Sequence, residues 1–514
     1  MSSSSDSDDS DAGEQIRVAL TLASEVNDRS LEVPTESIAV PASVGRKGLA
    51  AVVNHLLDRN VGGEEDEGSD DDEDDDNKLP ALPFDFVFQD NHRMLRTGVE
   101  REARRYGLSL EKPLQILYFP AQEAPELEGE SEKLPDWISC LQYQVAGTGT
   151  EGVPFLCAAS YDGSLRIYRP SQEHHREKEE SSVTLTPVAS SLKAHSGPIK
   201  CLSVVQDNHK NSNLLLASGS MDHSLVVHSF DPETNKLHKE HECQHGHADA
   251  IGCVDLFPNR TLASGDWDGT LCLWDLKDDN GLEDAEDQQA SKKAKTGDKS
   301  SSKKKGHSIK PKVLLNQAHV SQISGCSWGN LHKKSTSSAN SNAHNTLITG
   351  SWDHSVKTWD MERQECVLSL NGSRVVACLD TSHHSDGIVA TGHPDCSVRL
   401  WDLRTSKEAS SSVVSDKTFR PSHKEWVSAV QWSPRSPYHL ASTSHDGTVK
   451  VWDIRSSIPL HTVRVFPKSE KGLCMAYGEH ADSGTDINSS GGILASLFLG
   501  GTDCVVKQFV TANG

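Results

Sequence analysis

Short apolar runs alternate with turn residues between residues 155 and 509, in a pattern that recurs seven times. Each copy has an apolar run, a turn that contains Asp, and a second run that ends in Trp-Asp or a substitute. Four copies are clear (262–275, 347–360, 388–402 and 440–453), and three are looser (155–168, 214–228 and 493–509). Alternation around a turn predicts antiparallel hairpins, so we expect a mainly β structure here.

The turn aspartates define the repeat length. They are Asp162, Asp222, Asp268, Asp353, Asp395, Asp446 and Asp503, so the steps between them are 60, 46, 85, 42, 51 and 57 residues. Repeats of about 40–45 residues with this ending resemble WD40 repeats, in which each repeat forms one blade of a propeller. The 85-residue step is then one repeat with an insertion. We predict a seven-bladed WD40 β-propeller over residues 137–510, with a disordered insert at 278–312.

The last blade requires a strand from elsewhere in the chain. Only four residues follow its final run at 505–510, so the outer strand of that blade is missing there. We therefore predict that residues 121–136 form a linker and a closing strand, which lies within 123–136. Closure of the ring by both termini would remove an open sheet edge.

A domain of a different pattern precedes the propeller. Strands are predicted at 16–22, 31–41, 83–90 and 113–119, a helix at 48–57, and a short helix within 95–107. The order β-β-α-β-α-β predicts a small α+β ubiquitin-like domain over residues 15–120, with an acidic insert at 61–78. Residues 1–14 are predicted to be a disordered acidic tail.

Recurrent His, Asp and Trp residues in the repeats predict buried hydrogen-bonded sets. The sets are His247, Asp268 and Trp274 in blade three, His319, Asp353 and Trp359 in blade four, and His423, Asp446 and Trp452 in blade six. A buried Asp needs such donors, so we favour this structural role over a hydrolase triad. Blade five lacks the upstream His and blade seven has Phe509 in place of Trp, so both are expected to be less tightly held.

Charge and cysteine content narrow the class of protein. The formal charge is −23, but two acidic runs, at the N-terminus and at 64–76, carry 16 of the acidic residues. These runs are solvated spacers or, alternatively, sites for an acidophilic kinase. The twelve cysteines form no C-x-x-C pair, and we find no signal peptide. This favours a reducing compartment and predicts no cofactor and no metal site of the chain's own.

The insert at 278–312 contains two basic clusters about ten residues apart. They are Lys292, Lys293 and Lys295, then Lys303, Lys304 and Lys305. Such clusters predict a nuclear-import signal or a contact with RNA phosphates, although lysine-rich loops are often merely solubilising.

A more specific resemblance rests on four short motifs in order. VVNHLL, LPFDF and LRT in the first domain and DWISCL before the repeats resemble the notchless-like ubiquitin-fold family, and within it the WD-repeat ribosome-biogenesis factors. The resemblance implies a non-enzymatic assembly factor of the large (60S) ribosomal subunit that acts in rRNA precursor processing. It implies Pescadillo, the block-of-proliferation protein, the midasin AAA ATPase and the precursor particle as partners, and a location in the nucleus, both nucleolus and nucleoplasm.

In the family, a carboxylate of the ubiquitin-like domain completes the coordination of a metal ion held by midasin. The resemblance assigns this role to Glu111, in the loop before the last strand of the domain. A hard divalent ion accepts such an oxygen ligand readily. Glu100 and Glu102, on the preceding helix, are weaker candidates.

An alternative function belongs to another class of protein. WDLR at 401–404 and WDIR at 452–455 resemble the W-D-x-R pattern of substrate receptors of cullin ubiquitin ligases, where Arg404 and Arg455 would contact the adaptor.

No nucleotide-binding loop, nucleophile elbow or H-E-x-x-H motif occurs in the sequence, so we expect no enzyme activity.

Overall fold

A computed structural model provides the fold. It describes residues 15–26, 28–59, 79–147, 152–170, 183–208, 213–277, 307–329, 346–385, 387–404, 417–419, 422–479 and 495–511. The acidic tail 1–14 and the acidic insert 61–78 lie outside the described residues. Neither described helix is long and apolar enough to cross a membrane.

The first domain has the predicted α+β order. Its elements are β1 (Gln15–Leu22), a 3-10 turn (Arg29–Leu31), β2 (Ile38–Pro41), α1 (Arg46–Leu56), β3 (Phe84–Phe88), α2 (Val99–Arg105) and β4 (Leu114–Pro120). The sheet order is β2-β1-β4-β3, with β1 and β4 parallel. Leu49 and Val53 of α1 are buried against the sheet, together with Phe84, Phe86 and Phe88.

Two details of this domain differ from the prediction. Residues 31–41 do not form one strand, because the Tyr118 hydroxyl holds the segment before β2: it donates to Leu31 O and accepts from Val33 N. Strand β3 is buried on both faces rather than one, since Asp85 and Val87 are also buried.

The remaining described strands form seven sheets, which is compatible with the seven predicted blades. In chain order the strands are β5 (Glu126–Ser131), β6 (Ile138–Ala146), β7 (Val153–Ser160), β8 (Leu165–Tyr168), β9 (Val183–Leu185), β10 (Pro187–Ser191), β11 (Ile199–Gln206), β12 (Leu214–Ser220), β13 (Leu225–Asp231), β14 (Lys236–Cys243), β15 (Ile251–Phe257), β16 (Thr261–Asp266), β17 (Leu271–Asp275), β18 (His307–Ile309), β19 (Val313–Leu315), β20 (Ile323–Gly329), β21 (Thr346–Ser351), β22 (Ser355–Asp360), β23 (Glu365–Asn371), β24 (Cys378–Thr381), β25 (Ile388–Gly392), β26 (Val398–Asp402), β27 (Lys417–Phe419), β28 (Val427–Trp432), β29 (His439–Ser444), β30 (Thr448–Asp453), β31 (His461–Arg464), β32 (Gly472–Glu479), β33 (Ala495–Gly501) and β34 (Lys507–Thr511). The innermost strands are β6, β11, β15, β20, β24, β28 and β32, and each one contacts the next around a closed ring.

The predicted closing strand is present as β5. It pairs antiparallel with β34, with Glu130 opposite Lys507 and Glu126 opposite Val510. Ser131 extends the contact, because its N–H donates to Val506 O at 2.8 Å and its hydroxyl accepts from Val506 N. The segment before the propeller therefore supplies the outer strand of blade seven.

The end of the predicted insert at 278–312 has a defined structure, so the prediction of disorder is wrong for residues 307–312. Residues 278–306 lie outside the described part of the chain, but residues 307–312 are ordered by backbone pairing. Strand β18 adds in parallel to β14 and gives blade two a fifth strand. Strand β18 pairs with backbone groups at the edge of β14 that would otherwise lack a strand partner, and this pairing fixes the position of residues 307–309.

Size complementarity holds neighbouring blades together. A Cβ atom on Gly265 would lie 2.8 Å from Ile323 Cβ, so glycine on the second strand accommodates the first residue of the next inner strand. Between blades six and seven the sizes are exchanged: Thr443 stands on the second strand and faces Gly472. Close packing of this kind fixes the angle between blades and makes the ring a rigid frame.

Candidate partner-binding sites

The predicted set of blade four is present as direct contacts. His319 Nε2 lies 2.7 Å from Thr349 Oγ1, which also accepts from Trp359 Nε1, and His319 Nδ1 lies 2.9 Å from Asp353 Oδ2. Burial alone would raise the pKa of Asp353, but hydrogen bonds from His319 and Ser355 hold it well below its usual value. Burial lowers the pKa of His319. All these groups are used within the fold.

Blade six repeats the arrangement. His423 Nε2 lies 2.8 Å from Ser442 Oγ, which accepts from Trp452 Nε1, and His423 Nδ1 lies 3.4 Å from Asp446. Both ring nitrogens of His423 therefore have partners within the fold.

Blade three differs from the prediction in the choice of aspartate. His247 Nδ1 lies 3.0 Å from Asp266 and Nε2 lies 2.6 Å from Ser264, the hydroxyl that also accepts from Trp274. Asp266 is completely buried, whereas Asp268, the predicted member, is exposed. Asp266 occupies the last position of β16, where blades four and six have Ser351 and Ser444, and it places a carboxylate within hydrogen-bond distance of His247 Nδ1.

Blades one, five and seven lack the upstream His, and in each of them the turn Asp has a different partner. A basic residue four positions later pairs with it: Arg166 with Asp162 at 3.2 Å, Arg399 with Asp395 at 2.6 Å, and Lys507 with Asp503 at 2.6 Å. In blades five and seven the turn Asp is therefore paired although the His is missing, and the expectation that these blades are less tightly held stays a prediction.

Blade five also has a histidine that sequence reasoning missed. His393 Nε2 lies 2.8 Å from Thr391 Oγ1, which accepts from Trp401 Nε1. His393 lies within the hairpin of blade five, whereas His247, His319 and His423 lie in the loop before their hairpins. A search for a His that follows Gly at the end of the second strand could have found it.

Glu111 lies in the exposed loop that connects α2 to β4. Its N–H donates to Ser109 Oγ at 3.3 Å, and its carboxylate forms no ion pair with any described residue. Glu100 is paired with Arg104 at 2.6 Å. Glu102 is buried and accepts hydrogen bonds from the backbone of Arg96 and Thr97. Of the three candidate carboxylates, only that of Glu111 is exposed without a partner.

The ubiquitin-like domain packs against blade six. Met94 N–H donates to Arg455 O, Arg96 Nη2 donates to Pro459 O at 3.3 Å, and His461 Nε2 lies 2.8 Å from Gln122 O. We call this contact the junction.

Arg455, one of the two W-D-x-R arginines, lies inside the junction. Its guanidinium stacks on Phe119 of the ubiquitin-like domain at 4.9 Å and on Tyr438 at 4.0 Å, and it pairs with Asp453 at 2.7 Å. Only 13% of its side chain is exposed, compared with 55% for Arg404, which pairs with Asp402 of its own hairpin. The two arginines do not form one adaptor-binding surface.

The described part of the chain contains no group of three or more His, Cys, Asp or Glu side chains that could hold a metal ion. The six lysines of the basic clusters (Lys292, Lys293, Lys295, Lys303, Lys304 and Lys305) lie outside the described residues.

Comparison with known proteins agrees with this architecture. The NLE (NUC135) domain model matches residues 18–101, and the WD40 (WD domain, G-beta repeat) model matches residues 186–229, 239–275, 317–360, 364–402 and 415–453. A ribosome biogenesis protein WDR12 homolog of Chlamydomonas reinhardtii is 28% identical over 93% of this chain and 94% of the relative. Homologs of the same name from Oryza sativa (28%, 86% of this chain, 88% of the relative) and Arabidopsis thaliana (27%, 85% and 87%) are also similar. The chain belongs to the family of WD-repeat ribosome biogenesis factors with an N-terminal NLE domain.

Proposed function

We propose that this chain is a non-enzymatic assembly factor of the large ribosomal subunit, which acts as a scaffold in a complex of the Pescadillo type. The propeller would hold the block-of-proliferation protein, and the ubiquitin-like domain would be presented to the midasin ATPase, which removes the complex from the precursor particle. The names of the relatives support the role in ribosome biogenesis. The observation that supports the finer proposal is the unpaired carboxylate of Glu111, the one exposed candidate of three.

Glu111 would act as a metal ligand in trans. A divalent ion held by an incomplete set of oxygens on the ATPase accepts one more carboxylate, which gives a strong contact that is lost when the ion leaves. The loop is suited to this contact because it lies at the opposite end of β4 from Phe119, which belongs to the junction. Strand β4 rises about 3.3 Å per residue, so Leu114 lies roughly 17 Å from Phe119 at the junction.

The route for force follows from the position of Glu111 in the chain. Glu111 comes just before β4, and β4 leads through Ala121 to β5, which is paired into blade seven. A pull on Glu111 is therefore carried by one continuous stretch of backbone into the propeller. The junction adds a second connection, to blade six, so the linker would not transmit the load alone.

The cullin-receptor alternative has less support. It needs Arg404 and Arg455 together on an accessible surface, but Arg455 is enclosed between Phe119 and Tyr438. The basic clusters at 292–305 remain candidates for nuclear import or an RNA contact, and with them we propose a location in the nucleolus and nucleoplasm.

The test is replacement of Glu111 by Gln in the full chain, with Lys112→Ala as the matched change in the same loop. We expect the Glu111→Gln chain to join precursor particles normally but to stay on them, whereas Lys112→Ala is released. Particle occupancy is measured by purification of precursor particles through a different tagged component. Normal release of Glu111→Gln would contradict the assignment.

A further inference from the structure

All four exposed tryptophans of the described residues belong to the propeller. Trp137, Trp267, Trp352 and Trp426 are between 36% and 47% exposed. A soluble protein seldom leaves large aromatic side chains in water as a group, and such groups mark interaction surfaces.

One backbone contact shows that these tryptophans share a face of the ring. The residue after the second strand donates its N–H to the carbonyl of the residue before the inner strand: Tyr161 to Trp137, Trp267 to Ala250, Trp352 to Gln322 and His445 to Trp426, all at 2.9–3.0 Å. The contact marks the same end of each inner hairpin, and the hairpins are arranged alike around the ring. We call the surface made by Trp137, Tyr161, Trp267, Trp352, Trp426 and His445 the aromatic face.

Contacts between the rings hold the aromatic face in place. Trp352 and Trp426 meet edge to face with centroids 6.4 Å apart, and His445 stacks on Trp426 at 6.1 Å. On blade one, Trp137 meets Tyr161 at 5.8 Å. Because the rings already support one another, a partner would order few side chains on binding, and the surface is preorganised.

A lysine lies on the axis side of the aromatic face. Lys200 is the second residue of inner strand β11, it is exposed, and it forms no ion pair with any described residue. Burial raises the pKa of the Cys140, Cys378 and Cys474 thiols on three other inner strands, and the charge of Lys200 opposes that shift in each. The carbonyl of Pro198, two residues earlier, accepts from Met221 N at 2.9 Å in the contact that marks this end of each inner hairpin, so Lys200 lies on the inner edge of the aromatic face.

From this geometry we infer that the aromatic face docks a protein segment that places a carboxylate on Lys200 and apolar side chains on the tryptophans around it. The inference deepens the proposed function by naming the propeller surface that holds a protein partner, and it rests on that function. The unpaired charge of Lys200 favours an acidic group, and the tryptophans favour apolar anchors of the kind that dominate protein interfaces.

Other occupants fit less well. The chain's own acidic run at 64–76 has charge but no apolar residue to cover the rings. A second copy would bring Lys200 against Lys200. RNA would stack on the rings, but the carboxylates of Asp136 and Glu425, each next to an exposed tryptophan, would repel its phosphates.

The test measures rebinding of the full chain to precursor particles from which the chain has been depleted. Trp426→Ala should weaken binding about 30-fold, and Lys200→Glu about 10-fold. The matched control is Val367→Ser, which removes an exposed apolar side chain from the outer strand β23 and should leave binding unchanged. Thermal unfolding confirms that each variant is folded.

The outcomes separate the inference from the proposed function. Failure of the unmodified chain to bind the particles would overturn the proposed function, and the inference with it. Normal binding of Trp426→Ala and Lys200→Glu, while the unmodified chain binds, would overturn the inference alone. A photo-crosslinker at position 426 that labels protein supports the inference, and one that labels only RNA overturns it.

Discussion

The recurrent polar residues of the propeller and Glu111 of the ubiquitin-like domain are used in opposite ways. In the propeller, the recurrent Asp, His and Trp residues are bound to one another, as His319, Thr349 and Trp359 illustrate. In the ubiquitin-like domain, the candidate working group, Glu111, has no partner in the described structure. The repeated residues therefore stabilise the fold, whereas the candidate for function is a residue that occurs once and that the fold does not need.

This comparison can be tested with matched pairs, in which the same residue type is used by the fold at one position and exposed at the other. The largest effect is expected for Arg455→Ala compared with Arg404→Ala. Loss of Arg455 leaves Asp453 buried without its main cation and should lower the free energy of unfolding by about 3 kcal/mol. Arg404→Ala should cost about 0.5 kcal/mol or less, because that pair is exposed. Denaturant unfolding measures both, and equal effects would contradict the account of the junction.

The second pair lies in blade three. Asp266→Ala removes the carboxylate that contacts His247 Nδ1 and should lower the free energy of unfolding by about 2 kcal/mol, since a buried polar group loses its partner. Asp268→Ala should change stability by about 0.5 kcal/mol or less, because the side chain is exposed. A larger effect for Asp268 in the same unfolding experiment would restore the assignment that the sequence suggested.

A smaller effect concerns pH. Burial raises the pKa of Asp380 to about 7, against hydrogen bonds from Trp432 N and Thr381 N. The folded state therefore holds the proton more tightly than the unfolded state, and stability falls as pH rises from about 4 to about 7. In Asp380→Asn this decline should shrink by about 1–2 kcal/mol, as measured by unfolding at pH 5.5 and 7.0. An unchanged decline would show that another group causes it.

The sequence predicts the hairpins well because their period and turn residues are local. The sequence does not show which of two similar residues makes a contact when that contact depends on residues distant in the chain. Asp266 and Asp268 flank Trp267, and only the fold decides which one meets His247. Arg404 and Arg455 each follow a Trp-Asp pair, but only Arg455 contacts the ubiquitin-like domain. Glu111 followed from a family resemblance, and no local pattern separates it from Glu100.

The role of Glu111 is tested by binding of the full chain to the metal-bearing domain of the ATPase, with Mg²⁺ or with a chelator. For the unmodified chain we expect binding that the chelator abolishes. For Glu111→Gln we expect no binding with either, although its unfolding free energy stays within about 0.5 kcal/mol of the unmodified value, because the carboxylate has no partner in the fold. Equal, metal-dependent binding of both chains would contradict the claim that Glu111 is the ligand.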